Sequence, residues 1–96
     1  MRLSDEERGA LKEIVLRADP GAEIYLFGSR TEDALKGGDI DLLIVSERLG
    51  FPDKIDLLVQ MKNALGEQKI DVLIKTARDA RLDPFARRAL ESALRL

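Results

Sequence analysis

The sequence predicts an α/β (α+β) fold, a small mixed β-sheet with helices packed against it. Three observations predict it. Short apolar runs of strand length lie at 23–27, 39–45 and 69–75. Longer segments with apolar residues at helical spacing flank them. The two kinds of signal alternate along the chain, and no Pro-, Gly- or Ser-rich linker divides it. Alternation of this kind favours one layered architecture, here a single domain over 1–96.

The elements follow in order. Ser4-Asp5-Glu6-Glu7 is a capping box, with Ser4 at the N-cap and Glu7 three residues on. Leu11, Ile14, Val15 and Ala18 then recur at helical spacing, and Asp19-Pro20-Gly21 ends the helix in a turn. Ile24, Tyr25, Leu26 and Phe27 form a short apolar run that predicts a buried strand. A short helix or turn over about 29–35 is broken by Lys36-Gly37-Gly38. The second strand spans 39–45, β-branched and apolar after its two acids. Pro52 suits the first turn of the next helix, whose predicted inner stripe is Ile55, Leu58, Val59, Lys62 and Leu65. Gly66 closes it as a C′ residue. The third strand, 69–75, carries Asp71 among apolar neighbours. Asp83-Pro84 reads as an N-cap followed by N1, opening a last helix that runs nearly to Leu96.

Composition narrows the chemistry. The 96 residues are 45% hydrophobic but only 4% aromatic, so the core must be mostly Leu, Ile, Val and Ala. The absence of cysteine and histidine excludes a disulfide framework, a thiolate or His-bound zinc and a Ser-His-Asp triad. Acid–base work falls to Asp, Glu, Lys, Tyr or metal-bound water. A formal net charge of −2 argues against nucleic-acid binding by bulk charge. No secretory signal or membrane-length apolar run is present in these residues, so the expected location is the cytoplasm, away from membranes.

The candidate functional residues cluster around two strand ends. Asp39 and Asp41 are spaced one residue apart where an apolar strand begins, so both project from one face. Two adjacent carboxylates repel, and burying them unpaired is costly. A divalent cation relieves both problems, and Mg²⁺ favours one or two carboxylates together with substrate phosphates. The same pair on a solvated strand edge would be unremarkable on its own. Gly28-Ser29, at the end of the preceding strand, strengthens the functional reading. Gly28 permits close backbone approach, and Ser29 at a helix N-terminus adds a hydroxyl to free N–H groups that suit phosphate. Ser29 as a plain N-cap is compatible with that role. Asp71 reads either as a half-exposed strand acid near Lys69 or as a third carboxylate. If its strand lies beside 39–45, it converges on Asp39 and Asp41 and can help deprotonate an attacking hydroxyl. Arg30, and more weakly Lys36, are candidates for phosphate contact. Tyr25, inside a strand, is read as core packing.

Gly28-Ser29, then nine residues, then Asp39-Ile40-Asp41 and the later strand acid Asp71 resemble the nucleotidyltransferase superfamily related to DNA polymerase beta. The shortness of the chain resembles the minimal nucleotidyltransferase (MNT) family within it. The usual family spacing between Ser and the first Asp is one residue longer, a difference confined to the loop. The resemblance implies a nucleotidyltransferase fold and Mg²⁺-dependent transfer from a nucleoside triphosphate, with two metal ions. Carried over residue by residue, it implies that Gly28, Ser29 and Arg30 bind the nucleotide. Asp39, Asp41 and Asp71 would be the catalytic and metal-binding acids. It further implies ATP as substrate and a HEPN-domain toxin as partner, inactivated when the antitoxin transfers AMP to it. Transfer to a small molecule or an RNA end, and neutralisation of a partner by binding alone, are the alternatives. The residues add that this length leaves no evident acceptor domain, so another chain would complete the site. Phe85, Ala89, Ala93 and Leu96 form one apolar line and Ala86, Leu90 and Leu94 another, more than one inner face needs. That surplus suits a homodimer contact as well as a heteromeric one.

Overall fold

The computed structural model describes residues 3–27, 40–66 and 68–96. Helix α1 (Asp5–Ala18) starts where the sequence places it. The Ser4 hydroxyl accepts from the Glu7 N–H at 3.1 Å, and the Glu7 carboxylate accepts from the Ser4 N–H at 3.0 Å. Two otherwise orphaned donors are satisfied reciprocally. Leu11, Ile14 and Val15 are buried, while Ala18 stays exposed at the helix end. Strand β1 (Glu23–Phe27) follows after the Asp19–Gly21 turn.

Strand β2 (Ile40–Val45), helix α2 (Phe51–Leu65) and strand β3 (Ile70–Lys75) form the next unit. Pro52 sits in the first turn of α2, and the Gly50 N–H at its N-cap donates to the Asp53 carboxylate at 2.8 Å. Gly66 ends the helix with φ +83°, a left-handed conformation that glycine adopts without a Cβ penalty. The predicted inner stripe of α2 is corrected. Leu57 and Met61 are the buried pair, Leu58 and Leu65 pack beside them, and Ile55 (68% exposed) and Val59 (52% exposed) face outward with Phe51. Both stripes have helical spacing, so periodicity alone does not choose between them.

The C-terminal third differs from the single long helix expected. Thr76 caps a short helix, α3 (Ala77–Leu82), by accepting from the Asp79 N–H. Asp83 then caps α4 (Pro84–Ser92), as predicted, accepting from Phe85 and Ala86 N–H groups. Helix α4 stops at Ser92, and Leu94–Arg95 become β4. The reason is the free edge of β1, which pairs with Leu94 and Arg95 while the Leu96 N–H donates to the Ile24 carbonyl. This seats Leu96 in the core.

Among the described residues the sheet order is β3-β2-β1-β4, with β2 and β3 parallel and the other pairs antiparallel. The mixed sheet and flanking helices are those of a nucleotidyltransferase fold. Alternation along the strands sorts side chains onto two faces. Ile24, Leu26, Ile40, Leu42, Ile44, Ile70 and Val72 meet α1 and α2 in the main core. Tyr25, Phe27, Leu43, Val45 and Leu73 meet Ala80 of α3 and Ala86 and Leu90 of α4 in a smaller second cluster. No helix among the described residues is long and apolar enough to cross a membrane.

Candidate active site

The second face carries the candidate chemistry. β2 and β3 run parallel with Asp41 directly opposite Asp71, and β1 pairs antiparallel with Phe27 opposite Asp41. Phe27, Asp41 and Asp71 therefore form one row across three strands, on one face, with the two acids on strands about 4.8 Å apart. One row inward, Tyr25, Leu43 and Leu73 make an apolar floor. The acids thus stand where the packed part of this face ends. Asp71 could join the strand-end acids on the condition that its strand lie beside 39–45, and for Asp41 that adjacency is present.

Asp41 and Asp71 line one hollow of about 330 Å³ with Phe27, Leu73 and Phe85. That volume lies at the lower end of small-ligand pockets. Asp41 is half-buried and Asp71 exposed. Gly28, Ser29, Arg30, Lys36 and Asp39 lie outside the described residues, as does the expected short helix after β1. Among the described residues no group of three metal-ligating side chains gathers. The two acids that share this hollow present only hard oxygen donors, which suits Mg²⁺ and not a soft metal.

Sequence reasoning did not single out the aromatic border of this hollow. Phe85, at the start of α4, meets Phe27 edge-on, with ring centroids 5.9 Å apart and planes at 78°. Its backbone is held by Asp83, whose carboxylate accepts from the Phe85 N–H at 2.8 Å and receives Lys75 Nζ at 3.0 Å. The Lys75 ammonium, helped by the Ala86 and Phe85 N–H groups, holds the Asp83 carboxyl below the ordinary carboxylate value. The signal for Phe27 was its odd position in β1, shared with Tyr25, which places it on the face of Asp41. Phe85 carried no such signal, because the α4 approach is set by tertiary contacts.

Tyr25 packs in the second cluster, as read from the sequence, and its hydroxyl donates to Glu23 Oε1 at 2.6 Å. That bond, with desolvation and the Glu23 charge, pushes the phenol above its ordinary value.

The chain belongs to the nucleotidyltransferase domain family, whose family model matches residues 9–96. The match covers every strand and helix described above except the first turn of α1. It supports transfer of a nucleotidyl group as the general activity. Among individual curated proteins, none matches the chain significantly.

Proposed function

We propose that this protein is a Mg²⁺-dependent protein adenylyltransferase of the minimal nucleotidyltransferase type, acting as an antitoxin by moving AMP from ATP to a hydroxyl of a HEPN toxin. The observation that carries the reading is the register pairing of Asp41 with Asp71 at the open end of the second face. Both acids are positioned by rigid strands, which suits precise placement of reacting groups.

In this reading Asp41 and Asp71, with Asp39, hold the metal, and Gly28, Ser29 and Arg30 hold the triphosphate. Bound Mg²⁺ supplies positive charge for the α-phosphoryl transition state and the departing pyrophosphate. Asp71, exposed on the outer of the two parallel strands, faces the acceptor and takes the proton from its hydroxyl. The acceptor oxygen then forms a bond to the α-phosphorus, the bond to the β-phosphate oxygen breaks, and pyrophosphate leaves. The apolar floor of Leu43 and Leu73 keeps the inner side of the acids dry, which strengthens their interactions with charge.

The test is to incubate the protein with Mg²⁺, ATP and a HEPN-domain toxin, then weigh the toxin by intact mass spectrometry. The expected result is a gain of one or more AMP units, abolished by Asp41→Asn or Asp71→Asn. A stable complex with no mass gain would refute adenylylation and favour neutralisation by binding.

A further inference from the structure

We infer that Phe85 and the hollow behind it are the nucleobase subsite of this site. The inference rests on the placement of nucleotide transfer at Asp41 and Asp71. Phe85 is 60% exposed, although it is one of only three phenylalanines in the chain. Its position is nonetheless set: Asp83 holds its N–H, Lys75 holds Asp83, and Phe27 meets its ring. An aromatic ring that is both anchored and open to solvent is suited to stacking.

Phe27 and Phe85 together wall two adjoining hollows. One contains Asp41 and Asp71. The other, of about 320 Å³, shares both rings and is completed by Arg88, Ala89 and Ser92. A ligand in the first hollow can therefore reach the second by passing the Phe85 ring. The second hollow offers an aromatic ring and an alkyl wall for a flat apolar body. It also offers a guanidinium and a hydroxyl for a polar edge. A nucleobase has that combination of flat body and polar edge.

The direction also fits the nucleotide and not the acceptor. The second hollow is on the β1 side of Asp41, away from Asp71 on β3. In the sequence Gly28 and Ser29, the residues proposed for the phosphates, follow β1. Asp71, on the outer strand β3, leaves the opposite side for the acceptor hydroxyl. The base therefore occupies the α4 side and the acceptor the β3 side.

The experiment is calorimetric titration in Mg²⁺ with two probes, ATP and tripolyphosphate, which has the phosphates but no base. Phe85→Leu is expected to weaken ATP about tenfold and leave tripolyphosphate unchanged. Phe85→Tyr keeps a ring and should retain ATP affinity, and Arg88→Ala should weaken ATP a few-fold. Circular dichroism of each variant checks the fold; should Phe85→Leu fail to fold, Arg88→Ala and Ser92→Ala carry the same comparison. Equal weakening of both probes, or ATP affinity unchanged in all variants, would overturn the subsite while leaving Asp41 and Asp71 in place. A parent protein that binds neither probe would overturn the nucleotide site itself and the subsite with it.

Discussion

The two faces of the sheet are built from the same three strands and differ in what closes them. On the α1/α2 face, large aliphatic side chains fill the space from both sides, and Leu11, Leu26, Ile40, Leu42, Ile44, Leu57 and Met61 are almost wholly buried. On the α3/α4 face the fully buried helix residues are small, Ala80 and Ala86, with Leu90 beside them, and in the last row of the strands only Phe27 joins the packing. There the row becomes Phe27, Asp41 and Asp71. One face is sealed and supplies stability. The other is left open where carboxylates can meet a charged ligand, and the sealed face makes that exposure tolerable.

The comparison breaks if substitutions on neighbouring residues behave alike. Leu42→Ala, on the sealed face, should cost about 2–5 kcal/mol of unfolding free energy by denaturant titration. Asp41→Asn, its chain neighbour on the open face, should change that quantity by no more than about 1 kcal/mol. It should nevertheless lower nucleotidyl transfer by about 10³-fold or more, the loss expected when a metal-binding acid is removed. Equal destabilisation by both would show that the open face is packed like the other.

Acid titration gives a smaller effect that separates the faces further. Behind the sealed core, Asp19 at the end of α1 is buried with Ser46, which follows β2. The Ser46 hydroxyl donates to Asp19 Oδ2 at 2.5 Å while accepting from the Leu49 N–H at 2.9 Å and the Arg48 N–H at 3.1 Å. The Ser46 hydroxyl first, then the Gly21 N–H, hold the Asp19 carboxyl below its ordinary value, against desolvation and with help from Arg48. A carboxyl lowered in the folded state contributes stability that is fully present above the unfolded pKa, about 4, and lost as pH falls through the folded one. Asp83 acts in the same direction on the open face through Lys75. Stability should therefore fall as pH drops below about 4. Ser46→Ala should shrink the Asp19 share of that fall, and Lys75→Met the Asp83 share. An acid limb unchanged in either variant would remove that residue from the account.

The smallest effect concerns Tyr25. It is the only tyrosine and the chain has no tryptophan, so phenolate absorbance reports this residue alone. Its titration should lie above that of free tyrosine, and Glu23→Gln should bring it back toward the ordinary value, about 10. With the pKa raised in the folded state, its stability contribution is present below the unfolded pKa and disappears as pH rises through the folded one. A titration identical in parent and variant would exclude the Glu23 hydrogen bond.

Much of this architecture was legible along the chain. The capping box at Ser4, the N-cap at Asp83 and the glycine at 66 are local signals, and each operates in the structure as local chemistry dictates. The period-two alternation of 40–45 and 70–75 sends Asp41 and Asp71 to the same kind of position in their strands, whatever those strands pair with. The family signature likewise is a matter of residue order. What the chain order could not contain is which strand lies beside which. Register between β2 and β3 alone makes Asp41 face Asp71, because a slip of one residue would turn one acid to the sealed face.

The other departures share that cause. Leu94–Arg95 has helix-compatible residues and becomes a strand because β1 offers an unpaired edge there. Ile55 and Val59 match a buried stripe as well as Leu57 and Met61 do, and only the approach of α1 and β3 selects the second pair. Thr76 did carry a local cap signal for α3, with Asp79 three residues on, which the single-helix reading passed over. Local sequence decides propensities, caps and which side of a strand a residue occupies, since these depend on near neighbours. Pairing, helix orientation and the meeting of Phe27 with Phe85 depend on contacts between residues far apart in the chain, and those are settled only when the layers pack.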